Sequence, residues 1–418
     1  MVNEPARKKM QFSAWNILKR LLISFLLISS IGIYIAFRGL DWSLSPFDKN
    51  PYVCWSTLNA DPSTMVEIRW ETSILTNSDL WYGLNPTSLL YLPNATQSKM
   101  HVVNLTGLIP GQRYYYKISE NSDELRTFRT APTTITPFNF TLVSDTQALL
   151  GIGHMGRVFQ AIARLQDTSF VVDIGDVVQD GSNQRDWNFF FRTGDQWLKK
   201  FAIVPITGNH DGDYKDNYSS SLYPHYFGYA DPVHQRLYYS FNWSNVQIVM
   251  MQMGHGGESN LQWDGGLQLT WLNQTLANGQ DKAFRIVMFH RNVFSSEMGQ
   301  MAENTIRDLV PILDYYNVSL VLHGHHHVYQ RFLHQGRYGE VTYVCLGCGG
   351  GLQDVTHTTG GWDFVELQAI NNGPAYSMIF VNGNDLYFKH FAPSGELIDS
   401  FHLQNQNNRA IQVAGGMI

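Results

Sequence analysis

The chain has 418 residues, which at roughly 150 residues per domain predicts two or three domains around a large core. Hydrophobic residues make up 44% and charged residues 15%, with 35 Gly and 24 Phe, so a disordered, coiled-coil or collagen-like chain is excluded. A net charge of −6 gives no general attraction to nucleic acid, so no nucleic-acid partner is expected and a small-molecule substrate fits better.

The first feature in chain order is Leu21 to Phe37, LLISFLLISSIGIYIAF, which carries no charge and follows Arg7, Lys8, Lys9, Lys19 and Arg20. At 1.5 Å per residue a helix here spans about 25 Å, and no small-residue cleavage site follows it. The pattern predicts an uncleaved signal anchor: residues 1–20 a cytoplasmic basic segment, 21–37 a transmembrane helix, 38–47 a linker, and the rest extracytoplasmic. The membrane is thus an expected partner, and the chain would be secreted if the segment were cleaved. Seven Asn-x-Ser/Thr sequons, at Asn94, Asn104, Asn139, Asn217, Asn242, Asn273 and Asn317, are glycosylation candidates on an exported chain. Three cysteines, Cys54, Cys345 and Cys348, are too few for a disulfide framework.

From Pro51 to about Pro132, short alternating stretches such as MVEIRWE, MHVVNL and RYYYKI are separated by turn residues, the pattern of a β-sandwich. Tyrosines following LTGLIPGQR can bond back to the loop as a tyrosine corner does, so residues 48–134 are expected to form an all-β, fibronectin III-like domain. Ala131 to Pro137 reads as a linker. Beyond it, apolar runs starting at Phe138, Phe170, Phe201, Val246, Phe284 and Val318 alternate with helical stretches at Gly156 to Gln166 and Glu303 to Tyr316. That alternation predicts an α/β domain over residues 135–403, and QNQNNR marks 404–418 as a frayed tail.

Nearly every one of these strands ends in Asp, Asn or His: Asp145 in SDTQ, Asp176 in GDVVQD, Asn209 and His210 in GNHD, His290 in VMFH, and His325 and His327 in GHHH. Side chains at adjacent carboxyl ends converge in one crevice. Mixed carboxylate, amide and imidazole ligation suits Mn, Fe, Zn or Ni, and a shared carboxylate can bridge two ions.

This order resembles the calcineurin-like metallophosphoesterases and, within them, the purple acid phosphatase-like branch, a likeness that extends to HVVNLTGLIPGQRYYYKI and TFRTAP in the front segment. The resemblance implies a four-layer αββα sandwich holding two metal ions. It assigns Asp145, Asp176 and His327 to the first metal and Asp176, Asn209, His290 and His325 to the second, with Asp176 bridging. Two positions depart from the family. Gln179 stands where the purple enzymes have their tyrosinate, and Gln147 where other members have His. Gln147 is expected to supply an amide oxygen to the first metal, with Gln179 or water as the substitute. Neutral ligation favours a colourless divalent pair, Mn, Zn or Fe, over the ferric purple centre.

The expected chemistry is hydrolysis of a phosphate ester by a metal-bridging hydroxide, with His210 as general acid and Asp211 holding its ring. Other signals are assigned to structure. Cys345-Leu-Gly-Cys348 precedes glycines rather than opening a helix, His323 and His326 alternate away from the ligands, and His154 lies on a solvated loop. The aromatic residues between Tyr214 and Tyr229, with Trp187, Phe189 and Phe190, are expected in the core. The alternative to an enzyme is a surface binding or adhesion protein whose phosphatase domain is a degenerate scaffold.

Overall fold

The computed structural model describes residues 47–55, 61–119, 124–148, 153–212, 220–252, 266–294, 303–352, 365–406 and 409–413. The expected anchor at 21–37 and the sequon at Asn217 lie outside them. Among the described residues no helix is long and apolar enough to cross a membrane. Of the remaining sequon asparagines, Asn104 and Asn242 are exposed and Asn94, Asn139, Asn273 and Asn317 half-buried.

The front segment supplies β1 (Phe47–Cys54), β2 (Val66–Thr76), β3 (Leu80–Asn85), β4 (Ser88–Leu92), β5 (Ser98–Leu105), β6 (Arg113–Lys117) and β7 (Arg126–Arg129). They form two antiparallel groups, β1-β2-β5 and β4-β3-β6-β7, whose inward residues Ile68, Trp70, Leu80, Val103, Tyr116 and Phe128 share one core. The expected bond between tyrosine and loop is present: Tyr114 Oη accepts from the Ile109 N–H at 2.9 Å.

This segment is not a separate body. β1 pairs in parallel with a strand of the following domain, Cys54 opposite Ile203, so Phe47–Ile418 folds as one compact unit. An unpaired strand edge is satisfied this way, and the joint is sealed by Trp55, which stacks on Trp243 at 5.8 Å and meets Phe170 and Phe241 edge-on.

Then follow β8 (Phe138–Val143), α1 (Met155–Arg164), β9 (Phe170–Ile174), α2 (Gln184–Leu198), β10 (Ala202–Ile206), α3 (Tyr223–Phe227), β11 (Tyr239–Trp243) and β12 (Val246–Met250). The second half contains α4 (Leu267–Asn278), β13 (Phe284–Met288), α5 (Glu303–Tyr315), β14 (Leu320–His323), β15 (Tyr329–Gln335), β16 (Glu340–Leu346), β17 (Val365–Asn371), β18 (Tyr376–Asn382), β19 (Asp385–Phe391), β20 (Leu397–Gln406) and β21 (Arg409–Val413). One sheet has the order β21-β20-β19-β18-β8-β9-β10-β1-β2-β5, the other β11-β12-β13-β14-β16-β15-β17.

The period-two alternation of the strands creates the layers. Leu142, Val172, Val204, Ile286, Met288 and Leu322 face inward to a core shared by the two sheets. Their neighbours face the opposite way: Val143, Val171 and Ile203 pack against α1 and α2, and Val287 and Val321 against α4 and α5. Helix, sheet, sheet and helix therefore stack as expected. Trp187, Phe190, Tyr223, Tyr226 and Phe227 belong to the outer core, as the sequence suggested. The tail expected to fray after residue 403 instead makes β21, which pairs with β20 at the sheet edge, Leu403 opposite Gln412. Its polar composition conceals one buried contact, Ala410, and edge strands tolerate polar residues.

Candidate metal centre

β8, β9 and β10 run parallel in one sheet and β13 and β14 in the other, so five carboxyl ends open on the same crevice. Asp145, Asp176 and His325 adopt positive φ, 57°, 53° and 73°. Such backbone is disfavoured for residues other than glycine and costs about 1–3 kcal/mol, a cost retained where function requires it. The neighbouring glycines are needed for close approach. A Cβ on Gly208 would strike the Asp176 carboxylate, and one on Gly175 would lie 2.7 Å from His290 Nδ1.

Two overlapping groups result. In the first, His327 Nε2 lies 3.5 Å from Asp145 Oδ1, and the Gln147 amide nitrogen lies 3.1 Å from His327 Nε2 and 3.2 Å from Asp176 Oδ2. In the second, donor atoms of Asp176, His290 and His325 all fall within 4.8 Å of one another, with Asn209 on the adjoining loop. Asp176 belongs to both, and its Oδ1 also accepts the His210 N–H at 2.8 Å. Asp145 accepts the His325 N–H at 3.0 Å and the Ser144 hydroxyl at 2.6 Å, which orients its carboxylate.

These residues fit a pair of divalent cations. Gln147 Oε1 and Asn209 Oδ1 are buried without a hydrogen-bond partner, and His290 Nε2 lies 3.1 Å from Asp176 Oδ2. Each unmet buried group costs about 1–3 kcal/mol, and a cation would satisfy both. His290 Nδ1 donates to the Ile174 carbonyl at 2.8 Å and His327 Nδ1 to that of Leu352, which turns both Nε2 lone pairs inward. The two ends of the Gln147 amide are isosteric, so a half-turn brings Oε1 to the place facing Asp176 and His327.

The electrostatics are those of ionisable groups crowded together away from water. Burial raises Asp145 above the usual carboxylate range, and His290 and His327 offset only part of that. Burial also acts upward on Asp176, yet His290, His210 and His325 hold it well below that range. Burial lowers His290, but Asp176 and Asp145 outweigh it and lift the pKa to about 9. Burial, reinforced by His290 and Arg291, keeps His325 far below the usual imidazole value and so neutral, the ligating form.

Two expected roles change. Asp211 does not hold the ring of His210. Its carboxylate accepts the Gly208 N–H at 2.8 Å and the Val178 N–H at 3.2 Å, tying the Asn209 loop to the Asp176 loop, while burial and then Asp176 push its pKa up to about 7. Gln179 does not stand with Gln147 among the first group. Its main-chain oxygen is 2.9 Å and its amide nitrogen 3.1 Å from His210 Nδ1. The sequence could not separate these roles, because loop geometry decides which side chain reaches the ring.

His323 stacks on Phe289 at 6.2 Å, and burial lowers its pKa to about 3. His154 donates its main-chain N–H to Gly350 at 2.8 Å. Cys345 and Cys348 are buried free thiols, and Cys345 Sγ donates to the carbonyls of Gly324 and His326 at 3.4 Å, supporting the GHHH loop. The glycine-rich turn behind them bonds the first motif through Gly349 N–H to Ser144 and Gly351 N–H to Asp145, each at 2.9 Å. Sequence reasoning missed Ser144 and Thr146, whose hydroxyl donates to buried Asp173 at 3.0 Å; the small hydroxyl residues flanking Asp145 were the available signal.

Comparison with known proteins agrees with this geometry. Residues 138–329 match the calcineurin-like phosphoesterase family model. An uncharacterized protein of Mycobacterium tuberculosis is 27% identical over 271 residues, 56% of this chain and 51% of its own. The chain thus spans about half the length of that relative. Purple acid phosphatase 23 of Arabidopsis thaliana is 26% identical over 365 residues, 73% of this chain and 77% of that one. Purple acid phosphatase PPD1 from yellow lupin seeds shares the fold, with a TM-score of 0.67 at 15% identity over 85% of this chain and 74% of that one. Residues 138–329 thus match the calcineurin-like phosphoesterase family model, and 73% of the chain is similar to a purple acid phosphatase.

Proposed function

We propose that this protein hydrolyses phosphate esters of small molecules with the aid of two divalent metal ions. The observation that carries this reading is the pair of ligand groups sharing Asp176, lined by the buried, unpartnered oxygens Gln147 Oε1 and Asn209 Oδ1. Asp145, Gln147, Asp176 and His327 would hold one ion, and Asp176, Asn209, His290 and His325 the other. Bound divalent ions supply a water nucleophile at neutral pH and positive charge against the phosphoryl oxygens. Mn, Zn or Fe suits these neutral and carboxylate donors.

The chain's own residues handle the leaving group. His210 is half-buried, its main-chain N–H is fixed on Asp176, and its Nδ1–H lies against the Gln179 carbonyl, so that the imidazolium form, with a second proton on Nε2, can pass that proton to the departing oxygen and remain as the neutral ring. Asp211 contributes by locking the loop that carries Asn209 and His210.

The test is hydrolysis of a chromogenic phosphate ester by purified protein, before and after chelation and after return of Mn, Zn or Fe. Metal-dependent turnover with about two ions bound per chain is expected. Bound metal without turnover on any mono- or diester would defeat the reading.

We further propose that residues 21–37 anchor the chain with its catalytic domain outside the cytoplasm, supported by the uncharged run and the basic residues before it. Protection of the domain from protease in intact, inside-out vesicles is the expected result. Digestion there, with protection in right-side-out cells, would reverse the topology.

A further inference from the structure

We propose that Gln179 is the positioning residue of His210, a role that rests on the phosphoesterase reading and deepens it. Three contacts carry the inference. The main-chain oxygen of Gln179 lies 2.9 Å from His210 Nδ1, and the side-chain amide of the same residue lies 3.1 Å from that nitrogen. The two loops are joined below the ring by the Gly181 N–H, which donates to the His210 carbonyl at 2.8 Å and to the Gly212 carbonyl at 3.1 Å. The acid that sequence reasoning assigned to this task, Asp211, spends both carboxylate oxygens on main-chain N–H groups.

The chemistry of the nitrogen settles how the amide must face. One ring nitrogen cannot donate to the carbonyl and at the same time accept from the amide N–H. With the Nδ1 proton shared between the main-chain oxygen and a rotated side-chain Oε1, both Gln179 contacts become favourable, and the imidazolium keeps its second proton on Nε2 as the one to be given up. The ring is then clamped from one side, and Nε2 is held toward the crevice. A side chain at this position is therefore worth more than its burial. It restricts the ring to the one orientation in which Nε2 can meet a leaving group, and small misplacements of a catalytic group cost rate steeply.

The experiment compares Gln179→Ala and Gln179→Glu with the unmodified chain by three readouts: metal content, the ratio of rates on an alkyl and an activated aryl phosphate, and the His210 ring orientation in crystals. Glu keeps an acceptor at the same reach. In Gln179→Ala the ring is expected to rotate or occupy two positions, both metals to remain, and the alkyl-to-aryl ratio to fall about tenfold, with Glu restoring both ring and ratio. An unmoved ring and an unchanged ratio in the alanine variant would overturn the proposal. So would loss of metal, which would make Gln179 a ligand. If the unmodified chain binds metal but hydrolyses no ester, the enzymatic reading fails, and ring orientation alone then decides whether Gln179 positions His210.

Discussion

Replacing Asp176 tests the shared-ligand geometry most directly. Asp176→Ala removes the one carboxylate common to both groups, together with the hydrogen bond from the His210 N–H at 2.8 Å and the approach of His290 Nε2 at 3.1 Å. A hydrogen bond to a charged acceptor contributes about 1.5–3 kcal/mol, so the metal-free variant should lose about 2 kcal/mol of stability. Direct contact between a carboxylate and a cation is at least as strong as such a bond, so each ion should bind at least about 10–150-fold more weakly. His327→Ala touches only the first group and serves as the contrast. The assay is elemental analysis after dialysis against micromolar metal, read beside thermal unfolding with and without metal. Asp176→Ala should lose both ions and His327→Ala one. Retention of both ions in Asp176→Ala, or loss of a single ion, would refute the assignment of Asp176 to both groups.

His210→Ala should keep both metals and lose about 10²–10⁴-fold in rate on alkyl phosphates but much less on an activated aryl ester, because a good leaving group needs no proton; equal losses would make His210 a charge stabiliser instead. With Gln147 among the first group and Gln179 on His210, aerobically purified protein should show no broad visible absorption, and a purple band would contradict divalent ligation. Glu71 is half-buried, and although burial alone would raise its pKa, His225 and Lys49 lower it from the usual 4.5 to about 2. The folded-state pKa is depressed, so this stabilisation is present above about pH 4.5 and is lost as pH falls toward 2. Glu71→Gln should cost about 2 kcal/mol at pH 6 after allowance for solvent, and the difference in melting temperature from the unmodified chain should shrink by pH 3; a constant difference would exclude the linkage. Tyr114→Phe removes the bond to the Ile109 N–H and should cost about 1 kcal/mol in urea unfolding, with no change in rate; an unaltered midpoint would show that water replaces the hydroxyl.

The sequence by itself determined the α/β alternation and the placing of the candidate ligands at strand ends, while the four layers were implied only by the family resemblance. Strands such as FVVDIGD announce a buried parallel strand by their run of apolar residues, and a polar residue directly after such a strand must sit at its carboxyl end. Asp145, Asp176, Asn209, His290, His325 and His327 were legible for that reason, and Tyr114 was legible because its partner lies five residues away. Only the tertiary structure decided the rest. The parallel pairing of β1 with β10 is made by main-chain groups that carry no side-chain code, so the front segment read as independent although it extends the large sheet. The tail read as frayed for the same reason, since β21 is held by ladder bonds that polar residues permit. Gln147 and Gln179 each lie two or three residues past a motif Asp, yet one reaches His327 and the other His210. Both follow turns with positive φ, at Asp145 and Asp176, around which Gly175 lies close to Gly208 and Gly351 close to His327, approaches between residues far apart in the chain that no local pattern announces.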